Sequence, residues 1–228
     1  MISSGTKIWE IPEFRNRTKV FRDREHAGMV LADMMSGYKD ADALVLGIPA
    51  GGIPVAAVLA QELLLELDVA VVSKITLPWN KEAGYGAVSW EGSFRLNQDL
   101  VSRIGLSLDE IEKGIEETRK KVGRRVKLFR ADKIWPNLAE KRVILVDDGI
   151  ASGFTILVAV KALQNLGINE LIIAVPTANP DSLKRLSAEV EAIYCPNIRS
   201  GWTYAVADAY QEWRDVNEGE VLQIMENF

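Results

Sequence analysis

The chain of 228 residues holds one cysteine, Cys195, and one histidine, His26. A lone thiol excludes an internal disulfide and a cysteine-rich metal site, and gives no reason to expect an oxidising compartment. A lone imidazole excludes a histidine cluster for zinc. Surplus positive charge is missing too. The 27 lysines and arginines stand against 32 aspartates and glutamates, for a formal net charge of -5, which argues against a chain that works by holding nucleic acid through phosphate contacts. The opening "MISSGTKIWEIPEFRNR" has no apolar stretch of the signal-peptide kind. The long apolar run over residues 43–65 is broken by Pro49, Gly51, Gly52 and Pro54. A buried strand, a tight loop and a helix explain it better than a membrane span. These absences predict a cytoplasmic protein with neither a nucleic-acid nor a membrane partner.

What is present is alternation. Residues 43–48, 68–73, 142–146, 171–175 and 192–195 read as buried strands, and residues 22–37, 53–65, 155–166 and 181–189 as helices. Apolar strands separated by amphipathic helices predict an α/β fold, a doubly wound parallel sheet with right-handed crossovers and helices on both faces. Residues 74–97 carry Pro78, Gly84, Gly86 and Gly92 and read as a flexible lid loop with a hairpin around "EGS". A helix follows to about residue 129, opened by Ser107 and Glu110 in a capping-box arrangement. The whole chain, 1–228, is read as one domain. Its core lies at about 40–195, a lid and helical insertion at about 76–135, and a small hood is built from the terminal segments. In "VFRDREHAG", Asp23 is expected to cap a helix, the arginines to lie on the surface and His26 to be exposed. Cys195 is expected to be a small apolar residue at a strand end.

The stretch "VILVDDGIASGFT", residues 143–155, changes character halfway along. In an open parallel sheet, ligands sit where loops leave the carboxyl ends of strands. Asp147 and Asp148 end such a strand, and a glycine-containing turn then feeds a helix N-terminus, which favours an anion and offers the Ser152 and Thr155 hydroxyls as further donors. Carboxylates beside a phosphate would repel it, so they need another partner, such as sugar hydroxyls or a magnesium ion. An acid pair for a polyol and a cradle for a phosphate together describe a phosphorylated sugar. The bland alternative is that Asp148 and Ser152 only cap the turn and the helix.

The same stretch resembles the phosphoribosyl pyrophosphate (PRPP) motif of the type I phosphoribosyltransferases. "VFRDREHAG", "LGIPAGGIPVA", "SKITLPWNKEAGYGAV" and "YAVADAYQEW" fall in the order seen in a group of predicted members. The resemblance implies that Asp147 and Asp148 hold the ribose 2- and 3-hydroxyls, as the catalytic pair. It implies that Gly149, Ile150, Ala151, Ser152, Gly153, Phe154 and Thr155 wrap the 5-phosphate. Ala50, Gly51, Gly52 and Lys74 would meet the pyrophosphate, and Trp202 and Tyr204, with Tyr210 behind them, the base. Mg2+ is the implied cofactor, held through PRPP with Asp147 and Asp148 as available ligands. The implied reaction passes a phosphoribosyl group from PRPP to a nitrogenous base. The implied assembly is a homodimer, and the alternative function is a PRPP- or nucleotide-binding regulator without turnover. Two residues depart from the pattern. Ala50 stands where the group commonly carries a basic residue, with Lys74, Lys81 and Arg95 as candidates to compensate. Ala151 stands where enzymes acting on 6-oxopurines often place an aspartate. Glu82 and Glu91 are the lid acids that could assist proton transfer.

Overall fold

The computed structural model describes residues 6–131, 133–139, 141–201 and 204–228, with backbone alone at residues 81 and 82. Its centre is a six-stranded sheet in which every neighbouring pair is parallel. The strands are β1 (Lys7–Trp9), β2 (Ala43–Gly47), β3 (Glu66–Val69), β7 (Arg142–Val146), β8 (Glu170–Ala174) and β10 (Ala192–Tyr194). They lie in the order β1-β10-β8-β7-β2-β3. Between them run α1 (Arg24–Met34), α2 (Gly52–Leu63), α5 (Phe154–Asn165) and α6 (Pro180–Leu186). All of β2, and all of β7 beyond Arg142, is buried, as a strand covered on both faces must be.

The two-residue period of the strands divides the core. Val45, Ile144, Val146 and Ile172 pack with α1 and α2, whereas Leu44, Leu46, Val143, Leu145 and Ile173 pack with α5 and α6. The chain leaves β2 toward β3 on one side and β7 toward β8 on the other. The switch in direction between β2 and β7 opens a crevice at their carboxyl ends. A β2-α2 loop and a β7-α5 loop therefore face one another across the crevice.

The expected strand over 68–73 is two strands. β3 ends at Val69, Ala70–Val72 stay buried outside any strand, and β4 (Ser73–Leu77) begins a separate antiparallel sheet with β5 (Asn80–Val88) and β6 (Phe94–Leu96). A continuous apolar run carries no periodic mark of where one strand stops. The segment expected as a lid loop is this sheet. Gly84 lies beside the irregular register of β4 and β5, and a Cβ on Gly86 would lie 2.7 Å from the Arg95 carbonyl oxygen. These glycines mark an irregular ladder and a close approach inside a strand, not a loop. The hairpin around "EGS" is present, as the connection between β5 and β6.

Helix α3 (Gln98–Ile104) leads to α4 (Leu108–Arg130), which opens with the capping box expected at Ser107 and Glu110. Ile115, Val122 and Phe129 of α4 join the apolar cluster that α2 builds against the main sheet, together with Ile75 and Tyr85. A two-stranded parallel pair, β9 (Thr177–Ala178) and β11 (Asn197–Ile198), continues the path of β8 and β10 beyond the main sheet. The terminal segments meet above the crevice. Phe21 pairs with Tyr210, and Phe21, Ala27, Ala209 and Tyr210 form their own apolar cluster. Helix α7 (Glu218–Met225) closes the chain against α2 and α4. No helix among the described residues is long and apolar enough to cross a membrane.

Candidate functional site

Asp147 and Asp148 leave the carboxyl end of β7 directly into the crevice, where they line a cleft of about 190 Å³ with Lys74, the turn 149–153, Thr155, Ile156 and Val206. The backbone N–H of Asp148 donates to Asp147 Oδ1 at 2.9 Å. Burial, and then the neighbouring Asp148 charge, push the Asp147 carboxyl well above the usual carboxylate range, with Lys74 and Arg24 opposing in part. Asp148 is raised less firmly, because Arg24 lies against it. Arg24 Nε and Nη2 both reach Asp148 Oδ2, at 2.9 and 2.8 Å. The two adjacent acids therefore differ. One is paired with a guanidinium and the other has no ion pair among the described residues.

Arg24 corrects the expectation that the arginines of "VFRDREHAG" lie on the surface. It is 8% exposed, its guanidinium sits 4.0 Å from the centre of the Trp213 ring, and its Nη1 donates to the Arg214 carbonyl at 2.8 Å. Asp23 caps α1 as expected, accepting the His26 N–H at 2.7 Å. His26 is only half-exposed, since its Nδ1 accepts the Arg22 N–H at 3.0 Å. Cys195 is buried just beyond β10 as expected. Tyr210, behind the cleft, donates its hydroxyl to the Asp148 carbonyl at 2.6 Å.

The loop before α2 meets the acids at very short range. A Cβ on Gly51 would fall 2.0 Å from Asp148 Oδ2, and one on Gly52 would fall 2.8 Å from the Asp147 Cα. Gly51 and Gly52 are thus required by space, and the half-buried Ala50 precedes them. Gly51→Ala must displace a carboxylate that Arg24 holds in place. The expected result is a fold that still forms but melts about 5–10 °C lower, because the displaced carboxylate gives up its pair with Arg24, together with loss of any ligand affinity that depends on Asp148. Calorimetry and thermal melting check the two halves separately.

The turn 149–153 carries three further constraints. Gly149 lies under Val206 and Thr177, whose side chains a Cβ would strike at 2.5 and 2.9 Å. The Ile150 N–H donates to the Thr177 carbonyl at 2.8 Å. Gly153 has φ of +73°, caps α5 without a side-chain hydrogen bond and leaves the first N–H groups of that helix open toward the cleft. Ser152 and Thr155 stand beside them, and the Phe154 N–H reaches Ser152 Oγ at 3.4 Å.

Lys74 reaches the cleft from the antiparallel sheet, although it directly follows the core strand expected over residues 68–73. It lies at the start of β4, not at the end of a core strand. Arg95 lies away from the cleft lining and shares a neighbouring cavity with Ser152, Gly153 and Phe154. Glu91 lines a separate cavity with Trp90 and Trp135. The side chains of Lys81 and Glu82 lie outside the described residues.

Trp202 also lies outside the described residues. Tyr204 borders a cavity with Ala151, Ser152, Asn179 and Arg185. Its hydroxyl donates to Thr177 Oγ1 at 3.3 Å, the Arg199 guanidinium lies 4.8 Å from its ring centre, and burial pushes its hydroxyl pKa up. Those contacts tie the ring to β9 and to the segment after β11, which fits a packing role as well as a stacking one. Sequence reasoning passed over Arg24 as a site residue, and also Val206 and the residues of α6 that touch the turn. Each is brought to the turn by segments distant in sequence.

A model of the phosphoribosyl transferase domain matches residues 91–209, a span that contains both acids and the whole turn. The chain belongs to the type I phosphoribosyltransferase family. Two Mycobacterium tuberculosis proteins, provisionally named phosphoribosyl transferases, are each 30% identical over 91% of this chain, which spans 47% of their length. This phosphoribosyltransferase-family chain therefore matches about half of those relatives. The crystal structure of TT1426 from Thermus thermophilus is 30% identical and superposes with a TM-score of 0.73 over 91% of this chain and 98% of that one.

Proposed function

We propose that the protein transfers the 5-phosphoribosyl group of PRPP to a nitrogenous base, releasing pyrophosphate, and that the reaction requires magnesium. One observation carries this reading: the acid pair, the open N-terminus of α5 and Lys74 line one cleft. Asp147 and Asp148 accept hydrogen bonds from the ribose 2- and 3-hydroxyls. The turn from Gly149 to Thr155 takes the 5-phosphate. Ala50, Gly51, Gly52 and Lys74 meet the pyrophosphate, and Tyr204 borders the acceptor.

The chemistry follows from where charge develops. The bond from the anomeric carbon to pyrophosphate breaks as the base nitrogen attacks, so the ribosyl ring gains positive charge and the leaving group negative charge. The carboxylates lie on the ring side and stabilise its cation. Lys74 offers its ammonium to the departing pyrophosphate. The antiparallel sheet β4-β5-β6 stands beside the cleft and serves to keep water from the PRPP.

The residues also fit magnesium. Asp147 and Asp148 supply hard oxygen donors, and no group of three or more His, Cys, Asp or Glu gathers among the described residues. That donor set suits an ion that keeps its waters and arrives on substrate oxygens, not one caged by protein alone. When bound, it neutralises charge on the leaving pyrophosphate.

Ala50 favours a second reading, a PRPP-binding regulator without turnover, because the pyrophosphate loop lacks a cation at that position. Incubation with PRPP, magnesium and a panel of purine and pyrimidine bases separates the two. Magnesium-dependent pyrophosphate release with one class of base is expected. PRPP binding without release with any base would select the regulator, and no PRPP binding would sink both readings.

A further inference from the structure

The turn between β7 and α5 is held from behind by the next helix. Asn179 caps α6 by accepting the Ser182 N–H on Oδ1 at 2.8 Å, and its Nδ2 donates to the Ala151 carbonyl. The fully buried Ser182 donates from Oγ to the same carbonyl at 2.6 Å. Arg185 donates from Nη2 to the Ser152 carbonyl at 2.9 Å and to Ser182 Oγ at 3.0 Å. Three side chains at i, i+3 and i+6 on one helix face thus grip two consecutive carbonyls of the turn.

In a planar trans peptide, the C=O of one residue and the N–H of the next point in opposite directions. A carbonyl of Ala151 drawn toward α6 therefore turns the Ser152 N–H away from α6, and the carbonyl of Ser152 does the same for the Gly153 N–H. Neither N–H finds an acceptor among the described residues. Ser152 and Gly153 border the cleft that holds the acids, and the positive φ of Gly153 continues the turn into α5. Gly153 is also close to α6, since its Cβ would stand 3.3 Å from the Ser182 Cβ. Left alone, two exposed peptides in a glycine-containing turn would sample several orientations, and a ligand would bear the cost of selecting one.

We propose that Asn179, Ser182 and Arg185 are positioning residues that fix the Ser152 and Gly153 amides as paired donors to a phosphate monoester. This rests on the assignment of the turn to the 5-phosphate. The brace acts through the backbone and touches no ligand. Its contribution is to affinity for the phosphate end of the sugar, separate from the pyrophosphate end, which lies across the crevice at Gly51 and Gly52.

Asn179→Asp is the discriminating change. It keeps the cap on α6, because aspartate is an equally good N-cap, but it removes the donor to Ala151 and sets a carboxylate against that carbonyl. Ser182→Ala removes the second donor. Calorimetry with ribose 5-phosphate, and separately with inorganic pyrophosphate, is measured on the native chain, each single variant and the double variant. The double variant is expected to bind ribose 5-phosphate at least about tenfold more weakly, from two lost hydrogen bonds, with pyrophosphate affinity unchanged. Asn179→Gln at the same position, which keeps a donor amide on a longer arm, is expected to recover part of the loss. Equal affinity of native and double variant for ribose 5-phosphate would overturn the brace alone. Parallel loss for both ligands would also overturn it, since it would indicate general loosening. A native chain that binds no ribose 5-phosphate would overturn the phosphate assignment of the turn, and the brace with it.

Discussion

Asp147→Asn is expected to melt at a higher temperature than the native protein and, on the proposed function, to release pyrophosphate far more slowly. The carboxyl of Asp147 is buried beside Asp148, and both effects push its pKa well above the usual carboxylate range. A folded-state pKa above the unfolded one means that the folded chain binds more protons between the two values, so stability falls as pH rises through that window. Above the unfolded pKa, burying Asp147 therefore costs the fold free energy, and a neutral amide of the same shape does not incur that cost. The substituted amide still offers the side-chain oxygen that accepts the Asp148 N–H. A gain of about 1 kcal/mol, or about 2–4 °C for a chain of this length, is expected at pH 7.5. The gain should shrink as pH falls through that window and the native carboxyl takes up its proton. On the proposed function, transfer should drop by about a hundredfold or more, because the negative charge that would face the ribosyl cation is gone. A variant that melts below the native protein at both ends of that window would show that Asp147 is not under electrostatic strain. The native charge would also draw a counter-charge: binding of PRPP with magnesium should release a proton on the acid side of neutrality, read as a buffer-dependent heat.

The part of the site legible in the sequence is the part built from neighbours in sequence. Four apolar residues, two acids, a turn with glycine and a helix follow one another along a single strand-to-helix connection, so local pattern alone placed Asp147 through Thr155 at a sheet's carboxyl edge. The parallel core was legible for the same reason, since short apolar runs of strand length alternate along the chain with segments of helical period. What failed was information held by distant partners. Gly84 and Gly86 look like loop residues until β4 and β6 are seen flanking them. Arg24 looks like a solvated helix residue until Asp148, 124 positions away, receives it. Asn179 and Ser182 look like ordinary helix-capping residues, and only the return of α6 beside the turn reveals their second set of bonds. The split of the 68–73 strand belongs to the same group, since burial of Ala70, Val71 and Val72 comes from their surroundings and not from a period.

Arg24→Met is expected to destabilise the protein by about 3 kcal/mol near neutral pH and by much less near pH 5. Methionine keeps much of the aliphatic bulk and a contact with the Trp213 ring, so the change isolates the charge. Without the guanidinium, Asp148 stands against Asp147 in a cleft that already disfavours ionisation, and removing one partner of a largely buried pair leaves the other uncompensated. The Asp148 side chain retains 16% exposure, which keeps the expected loss at the low end for such pairs. Asp148 already titrates above the usual range with Arg24 present, and loss of Arg24 raises it further. The sign is then fixed: a more strongly raised folded pKa means that the variant loses stability as pH rises, and recovers it once Asp148 is protonated. Urea unfolding at pH 5 and pH 7.5 reads the difference directly. A deficit of the same size at both pH values would assign Arg24 to packing against Trp213 and Tyr210 instead. Arg24→Lys should fall between the two, since it restores the charge but not the two-nitrogen grip on one oxygen or the flat stack on the indole. In the double variant Arg24→Met with Asp148→Asn, most of the neutral-pH deficit should vanish, because position 148 then carries no charge for Arg24 to balance. The pair thus explains how two adjacent carboxylates can share a strand end: Arg24 balances Asp148, and Asp147 is left without an ion pair among the described residues, its proton held more tightly by burial.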